Sequence, residues 1–341
     1  MTGAATIEIT GTGLAELACA RLLLARGHRA RVRLRAPEAA PRPLLLNAPT
    51  LELLRSLWGR EPLADCHRLT YREVCWGPEG TGALRRLPQP AVVVDGGRLA
   101  QRLLDRLAAR YPDALGDVTG AEAMAAEPAF GEAPAVRRWT VTAVGWSSGH
   151  RTAGRRHLLA GEAPLAAGQD ERTARLVCTD LAWLHLTPLG GGRALLQAMV
   201  PGPVARPAEL LARLLTQSAL APVLEHAPRT AVALPAAPRL HSSPAVPGRL
   251  LVGAGAIRYD PLSGTGTAQA LRTAFLAADT LHAAAGGAPQ RPLLTHYATR
   301  LRTAFHDHLA TCARLYPQAF TSPAWRHEID ACGVAVTGNG V

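Results

Sequence analysis

The sequence contains no lysine, so arginine supplies all 37 of its basic residues. These outnumber the 26 Asp and Glu residues and give a formal net charge of +11, yet no block of five or six arginines occurs. A nucleic-acid footprint needs basic residues clustered in one run or on one face. The dispersed arginines therefore indicate compositional bias, and we expect no nucleic-acid partner.

Long apolar runs are also missing. The richest, residues 17–25, contains an arginine and is far shorter than the roughly 18 apolar residues that a membrane helix requires. The first residues carry no basic stretch ahead of an apolar one, as a secretory signal would. We expect no membrane partner and a cytoplasmic location. With 48% hydrophobic and 18% charged residues, the chain is typical of a packed globular protein.

Cysteine and histidine show no pattern of a disulfide framework or a metal site. The six cysteines include no CxxC pair, which favours free thiols: Cys19, Cys66, Cys75, Cys178, Cys312 and Cys332. His308 and Cys312 stand one helical turn apart, close to His306, but no fourth ligand accompanies them. We interpret them as helix-surface side chains and predict no metal.

A strand, a glycine turn, a helix and a second strand follow one another within the first 34 residues. Residues 6–9 alternate as a strand, residues 14–26 have apolar residues at helical spacing, and residues 30–34 form the next strand. Gly11 and Gly13 lie in the turn, where a bare backbone lets a pyrophosphate approach the helix N-terminus. Gly11, Gly13 and Leu14 are therefore candidate cofactor contacts.

Two features depart from this dinucleotide-binding pattern. Glu16 stands where the pattern has a third glycine, and its charge could repel a pyrophosphate. The second strand ends in arginines rather than in the acidic residue that binds a ribose, and Glu38 is the nearest carboxylate. The fingerprint alone leaves a plain strand-turn-helix unit as the alternative.

Hydrophobic patterning predicts several further elements. Strands are predicted at 68–76, 92–95, 139–142 and 250–253, and a hairpin at 176–200 turns on glycines 190–192. Helices are predicted at 44–58, 97–110, 208–215, 268–285 and 292–316, the last closing the chain. Residues 111–137 indicate a loop, and residues 151–174 are weakly patterned.

Residues 250–272 resemble the C-terminal flavin motif of class A flavoprotein monooxygenases and flavin-dependent halogenases. In that motif a strand ends in Gly-Asp, a proline follows, and Gly-x-Gly opens a helix. The resemblance places seven residues at the cofactor: Gly253, Ala254, Pro261, Gly264, Thr265, Gly266 and Thr267. Residues 143–151 resemble a second segment of the same families, Ala-x-Gly-x-Ser-x-x-x-Arg. Family members usually have Asp where this chain has Ala254.

Two further stretches resemble the halogenase-like branch of this superfamily. Residues 182–193 are similar to its hairpin and residues 296–316 to its closing helix. That branch includes the flavoproteins that mature quinone-cofactor oxidases by oxygenating a tryptophan of a partner protein. The resemblance covers residues 5 to about 330.

The resemblance implies an α/β fold of the para-hydroxybenzoate-hydroxylase type. A Rossmann-like FAD/NAD(P)-binding domain would comprise residues 1–60, 92–165 and 245–290. A smaller mixed-sheet substrate domain would comprise 61–91 and 166–244, and residues 291–341 would form a C-terminal helical segment.

The implied activity is an FAD-dependent monooxygenase that acts on an aromatic or indole-like substrate, small or peptide-borne, with NAD(P)H as reductant. Arg98 is a further candidate cofactor contact. Trp183 and Arg258 are candidate substrate contacts, with core packing and a surface position as their respective alternatives. Halogenation through a relay lysine is excluded because the chain has no lysine. Hydroxylation needs no particular protein nucleophile, so we assign no catalytic residue.

Three expected flavin contacts are altered: the third glycine, the ribose carboxylate and the aspartate at Ala254. Each lost hydrogen bond is worth about 0.5–1.5 kcal/mol, so together they would weaken FAD binding by roughly one to three decades. We therefore expect FAD to be weakly held or absent. A non-catalytic relative that acts as a binding or maturation partner is the alternative function, and a flavin dehydrogenase acting on a small molecule is a further one.

Overall fold

The strands and helices follow one another along five described stretches of the chain. The computed structural model describes residues 6–33, 43–78, 82–116, 138–144 and 149–337. In chain order the strands are β1 (Thr6–Thr10), β2 (Ala30–Arg33), β3 (Pro43–Asn47), β4 (His67–Cys75), β5 (Arg85–Asp95), β6 (Leu115–Gly116), β7 (Arg138–Thr142), β8 (His150–Thr152), β9 (His157–Pro164), β10 (Thr173–Cys178), β11 (Trp183–Gly190), β12 (Arg193–Val200), β13 (Val232–Pro235), β14 (Arg239–His241), β15 (Ala245–Val246), β16 (Arg249–Leu251) and β17 (Ile257–Arg258). The helices are α1 (Leu14–Ala25), α2 (Ala48–Trp58), α3 (Gly96–Arg110), α4 (Pro207–Thr216), α5 (Gly253–Ala256), α6 (Gly266–Ala285), α7 (Gln290–Leu315) and α8 (Pro323–Thr337).

A six-stranded sheet carries the N-terminal glycine turn. Its order is β15-β16-β7-β1-β2-β6, and β1 pairs in parallel with both β2 and β7. Ile7 and Ile9 are buried, and α1 and α6 pack against each other over the same core. The carboxyl ends of β1 and β7 therefore lie side by side at one edge of the sheet, where ligands bind in folds of this kind.

An eight-stranded mixed sheet forms the second layer, in the order β13-β9-β12-β11-β10-β4-β5-β3. Alternate residues point to opposite faces. Leu184 and Leu186 of β11 belong to a core cluster with Leu211 and Leu214 of α4, so α4 covers one face. The other face carries Trp183 and its neighbours, which are described below.

The C-terminal helices hold an aromatic cluster. Tyr316 and Phe320 follow α7 and stack on Trp325 of α8, with ring centroids 5.0 and 4.2 Å from that of Trp325. Trp325 is fully buried, and its Nε1 donates to the carbonyl of Leu181 at 2.9 Å. The C-terminal segment is thereby packed against the start of β11. Within the described residues no helix is long and apolar enough to cross a membrane.

The predicted α/β fold class is confirmed, and the hairpin is present as β11 and β12. Three element predictions need correction. Residues 43–47 form β3 rather than helix because they pair with β5, and the helix begins only at Ala48, capped by Asn47. The weakly patterned stretch contains β8 and β9. The chain continues past α7 into α8. Residues 145–148 of the second flavin segment, and 117–137 of the predicted loop, lie outside the described residues.

The predicted domain boundaries remain a prediction, but strand pairing divides the chain differently at two places. Both β3 and β9 lie in the eight-stranded sheet, although the boundaries place them in the cofactor domain. Pairing over a long sequence distance decides their membership, and a local pattern does not contain that information.

Candidate functional site

The turn after β1 has the geometry of an anion-binding helix start. Gly11 is buried at φ +121°, and its amide donates to the carbonyl of Arg33 at 3.0 Å. Gly13 precedes α1 as its N-cap and has no side chain to cap the first amides. The N-cap residue therefore supplies no side-chain partner for the first amides of α1, at the positive end of the helix dipole. The structure brings Gly11, Gly13 and Leu14 together in this turn.

The Glu16 side chain folds back over this turn. Its Oε1 accepts a hydrogen bond from the backbone amide of Ala143 at 3.0 Å. A Cβ added to Gly11 would lie 2.7 Å from Oε1, and one added to Gly13 would lie 2.6 Å from Oε2. Burial raises the pKa of Glu16, although its own amide and that of Ala143 oppose the shift. A carboxyl group of the chain therefore lies where a pyrophosphate would approach the glycines.

The end of β2 is basic, as the sequence indicated. Arg33 makes an ion pair with Glu8, and Glu8 also accepts from Arg138 at 2.8 Å. Glu8, which lies on β1, is therefore paired with two arginines from the neighbouring strands. Glu38 lies outside the described residues.

The second glycine segment follows β16. Gly253 adopts φ +55°, and its amide donates to Oγ1 of Thr273 at 2.8 Å, which joins the short helix α5 to α6. Ala254 is exposed. Its carbonyl accepts from Nη2 of Arg239 at 3.4 Å. The position where the related families carry a carboxylate thus faces outward.

The turn from Asp260 to Gly266 is capped by a side chain at its first residue and has empty space beside its glycines. Asp260 caps it, because Oδ1 accepts from the amide of Leu262 at 2.9 Å. Gly264 adopts φ +59°, and a Cβ on Gly264 or Gly266 would meet nothing within 4 Å. Gly264 and Gly266 therefore leave bare backbone with open space beside it at the start of α6, next to the half-buried Thr265.

Of the other predicted cofactor contacts, Pro261, Thr265 and Thr267 belong to the second glycine segment, whereas Arg98 lies on a separate helix. Pro261 opens the short 3-10 turn, and Thr267 is in the first turn of α6. Oγ1 of Thr265 shares a hydrogen bond with Oγ of Ser263 at 2.9 Å. Arg98 is exposed in the first turn of α3, where its amide donates to Asp95 at 2.7 Å.

A cavity of about 70 Å³, partly open to solvent, separates the eight-stranded sheet from the Pro261–Ser263 turn. Leu176, His185 and Gln197 lie directly opposite one another on three adjacent strands and form one row of its wall. Its full lining is Leu45, Asn47, Arg72, Gln89, Leu176, Trp183, His185, Gln197, Pro261, Leu262, Ser263 and Gly264. The cavity thus has an aromatic and polar wall on the sheet side and a glycine turn on the other.

The two predicted substrate contacts are separated in the structure. Trp183 lines the cavity, and its Nε1 donates to Oη of Tyr316 at 3.2 Å, so it is both cavity wall and core. Arg258 is not among the lining residues, and its Nη2 donates to the carbonyl of Ala237 at 3.2 Å. Burial and the charge of Arg239 lower the pKa of Arg258 to about 10.

Sequence reasoning missed five polar cavity residues: Asn47, Arg72, Gln89, His185 and Gln197. Burial, together with the charge of Arg72, lowers the pKa of His185 to about 3, so its ring is neutral. Nδ2 of Asn47 donates to the carbonyl of Gly264 at 3.1 Å and ties β3 to the glycine turn. The two-residue spacing from Trp183 to His185 was the available signal, because strand residues two apart share a face.

A buried ionic network supports the glycine turn from behind. Arg156 is fully buried, and it donates from Nε to Asp260 at 2.7 Å and from Nη1 to Glu328 at 2.9 Å. Oη of Tyr316 donates to the same Asp260 oxygen, Oδ2, at 2.8 Å. Nε2 of His308 accepts from the Asp260 amide at 2.8 Å. His308 is therefore a buried structural residue, which corrects its interpretation as a surface histidine.

The fold is that of flavin-dependent monooxygenases and halogenases. A solved peptidyl tryptophan dihydroxylase, QhpG, matches with a TM-score of 0.77 and 20% identity over 96% of this chain and 79% of that one. The flavin-dependent halogenase CmlS matches with a TM-score of 0.73 and 16% identity, over 96% of this chain and 68% of that one. A Klebsiella pneumoniae HpxO variant complexed with FAD matches with a TM-score of 0.66 and 15% identity, over 98% and 91% of the two chains. No protein-family model and no curated protein matches the sequence.

Proposed function

We propose that this chain is a flavin-dependent oxidoreductase that oxygenates an electron-rich, indole-like ring, either free or in a peptide. The observation that carries the proposal is the cavity between Trp183 and the glycine turn at Gly264. It offers a wall of apolar and polar side chains on the sheet and, opposite, bare backbone at the start of α6. Concave sites with an apolar wall and a few placed polar groups are the usual form of small-molecule sites.

The residues present fit FAD, provided that the Glu16 side chain moves away from Gly11 and Gly13. The uncapped start of α1 offers amides to a pyrophosphate, and the open space at Gly264 and Gly266 offers room for the ring. Only the end of the Glu16 side chain lies in the way at Gly11 and Gly13, and a flexible side chain can rotate. FAD would then be held weakly. When bound, it supplies the redox and oxygen chemistry, with NAD(P)H as the electron source.

The chain's own residues would position the substrate and keep water out. The indole of Trp183 is buried in the core and held by its hydrogen bond to Tyr316, so it fixes the strand that forms this wall of the cavity. The neutral ring of His185 is positioned by a 3.2 Å contact between its Nδ1 and Oγ1 of Thr187. Asp260, fixed by Arg156, holds the opposite wall in place. Orientation of this kind is the protein's main contribution where a cofactor carries the reaction.

A second candidate function is a non-catalytic binding or maturation partner. The position of Glu16 favours it, because its carboxylate already takes the place of an anion beside Gly11 and Gly13. In such a protein the cavity would bind a partner's side chain and no electron transfer would occur.

The proposal is tested by titrating FAD and by following NAD(P)H oxidation with indoles and tryptophan-containing peptides. We expect a Kd on the order of 10⁻⁶ M, which follows from the weakened contacts. Gly264→Leu should abolish turnover by filling the space at the turn. The matched control is Gly168→Leu, since Gly168 has φ +77°, nothing within 4 Å and no place in the cavity lining. Both variants force a side chain into the left-handed region, at a cost of about 1–2 kcal/mol.

Retained turnover in Gly264→Leu would show that the reaction lies elsewhere. Absence of FAD binding, together with absence of NAD(P)H oxidation for every ring tested, would favour the binding partner instead.

A further inference from the structure

Arg72 has no partner within the part of the chain that the structure describes. It lies on β4 and lines the cavity, yet it makes no hydrogen bond or ion pair there, and its buried Nε is unsatisfied. The next residue behaves differently, because Glu73 points to the other face and accepts from Arg175 at 3.1 Å. Arg72 is thus a cation facing a cavity without a counterion.

Among the described residues, the cavity lining contains no carboxylate. Besides Arg72, its polar side chains are the amides of Asn47, Gln89 and Gln197, the hydroxyl of Ser263 and the neutral ring of His185. A partly buried cation without an anion is costly, and an arginine cannot relieve that cost by releasing its proton. Burial lowers the pKa of Arg72. The site therefore lacks an anion that would neutralise the guanidinium of Arg72.

We propose that the cavity binds an aromatic compound that carries a carboxylate, with the ring inside the cavity and the carboxylate on the guanidinium of Arg72. A planar guanidinium suits a carboxylate because two parallel hydrogen bonds can form. Calling this compound the substrate rests on the proposed function. Binding of the compound at the cavity does not depend on that function, and it can be measured without FAD.

The experiment compares acids with their amides of equal size by calorimetry, in the absence of FAD and NAD(P)H. One pair is N-acetyltryptophan and N-acetyltryptophanamide, which represents a peptide's terminal carboxylate. The other is indole-3-acetate and indole-3-acetamide, which represents a free aromatic acid. We expect the acid to bind about ten to a hundred times more tightly than the amide in at least one pair, as for hydrogen bonds between charged groups. The pair with the larger ratio of acid affinity to amide affinity shows whether the carboxylate belongs to a peptide terminus or to a free aromatic acid.

Two variants and a control locate the effect. Arg72→Met keeps the length of the side chain and should remove the acid preference, while the Tm of the ligand-free protein stays equal or rises because a buried charge is gone. Arg72→Lys keeps the charge but loses the planar pair of N–H donors, so it should reduce the preference for the acid over the amide. Arg193→Met is the control, since Arg193 is exposed, pairs with Glu162 and is absent from the cavity lining.

Equal binding of acid and amide by the natural protein would overturn this proposal, as would a preference that survives Arg72→Met. A lower Tm for Arg72→Met would assign Arg72 a structural role. NAD(P)H oxidation without acid preference would remove only this inference. Acid preference without any NAD(P)H oxidation would remove only the proposed oxygenase.

Discussion

The carboxylate of Glu16 accepts a hydrogen bond from the backbone amide of Ala143 at 3.0 Å, which joins the first turn of α1 to the chain just after β7. The same carboxylate lies against Gly11 and Gly13. Where a chain of this fold holds a dinucleotide, the glycines leave that space for the pyrophosphate. Here the Glu16 carboxyl occupies that space, so its side chain must move before a pyrophosphate can bind there.

Glu16→Ala should tighten FAD binding by roughly tenfold or more, because it removes both the obstruction and a like charge near the phosphates. Glu16→Gln keeps the size without the charge and should give an intermediate affinity. FAD titration followed by calorimetry measures both. Glu52→Ala, at an exposed position of α2, is the control and should change nothing. Equal affinities in all four proteins would mean that the pyrophosphate does not bind at this turn.

The raised pKa of Glu16 predicts a pH dependence of stability. The folded protein binds this proton more tightly than the unfolded chain, so the stabilisation is complete below the ordinary value of 4.5. It is lost as the pH rises through the raised pKa. Urea denaturation at a series of pH values should therefore show the natural protein losing free energy of unfolding relative to Glu16→Gln above pH 4.5. Parallel curves would contradict a buried, proton-linked carboxyl.

Ala254→Asp should create the cofactor contact that the sequence resemblance implies at this position. Ala254 is exposed on α5, so an aspartate there meets no steric barrier. A charge-assisted hydrogen bond to a ribityl hydroxyl would contribute about 1.5–3 kcal/mol, which is about ten to a hundredfold in the Kd of FAD. An unchanged Kd in FAD titration would show that the cofactor does not lie along α5. Ala283→Asp is a control further along the chain, near the end of α6.

Arg156→Leu should strongly destabilise the protein. Arg156 is fully buried between Asp260 and Glu328, so its removal leaves two carboxylates without their cation. Breaking a buried pair in this way costs about 3–5 kcal/mol of unfolding free energy. Thermal and urea denaturation measure the loss, and Arg206→Leu, on an exposed pair with Glu209, should cost less than about 1 kcal/mol. A small effect at Arg156 would indicate that Asp260 and Glu328 bind protons in the variant.

The glycine turns could be predicted from the sequence because their requirement is local. A strand, two glycines and an uncapped helix start occur within a short segment, and the structure has them at Gly11 and Gly13 as expected. The Asp260 cap was equally local, since the side chain bonds an amide two residues away. The segment 43–47 was predicted wrongly as helix, because its pairing with Val92–Val94 of β5 overrides its apolar run.

The amino-acid sequence by itself determined the fold class and the glycine turns, since these depend on neighbouring residues and on spacing along the chain. Only the tertiary structure decided where the Glu16 carboxyl lies, that Arg258 bonds the Ala237 carbonyl and is not a lining residue, and that Arg72 faces the cavity without a counterion among the described residues. Arg72 illustrates the reason. The pairing of β4 with β10, which joins residues about a hundred positions apart, selects the face toward which its side chain points.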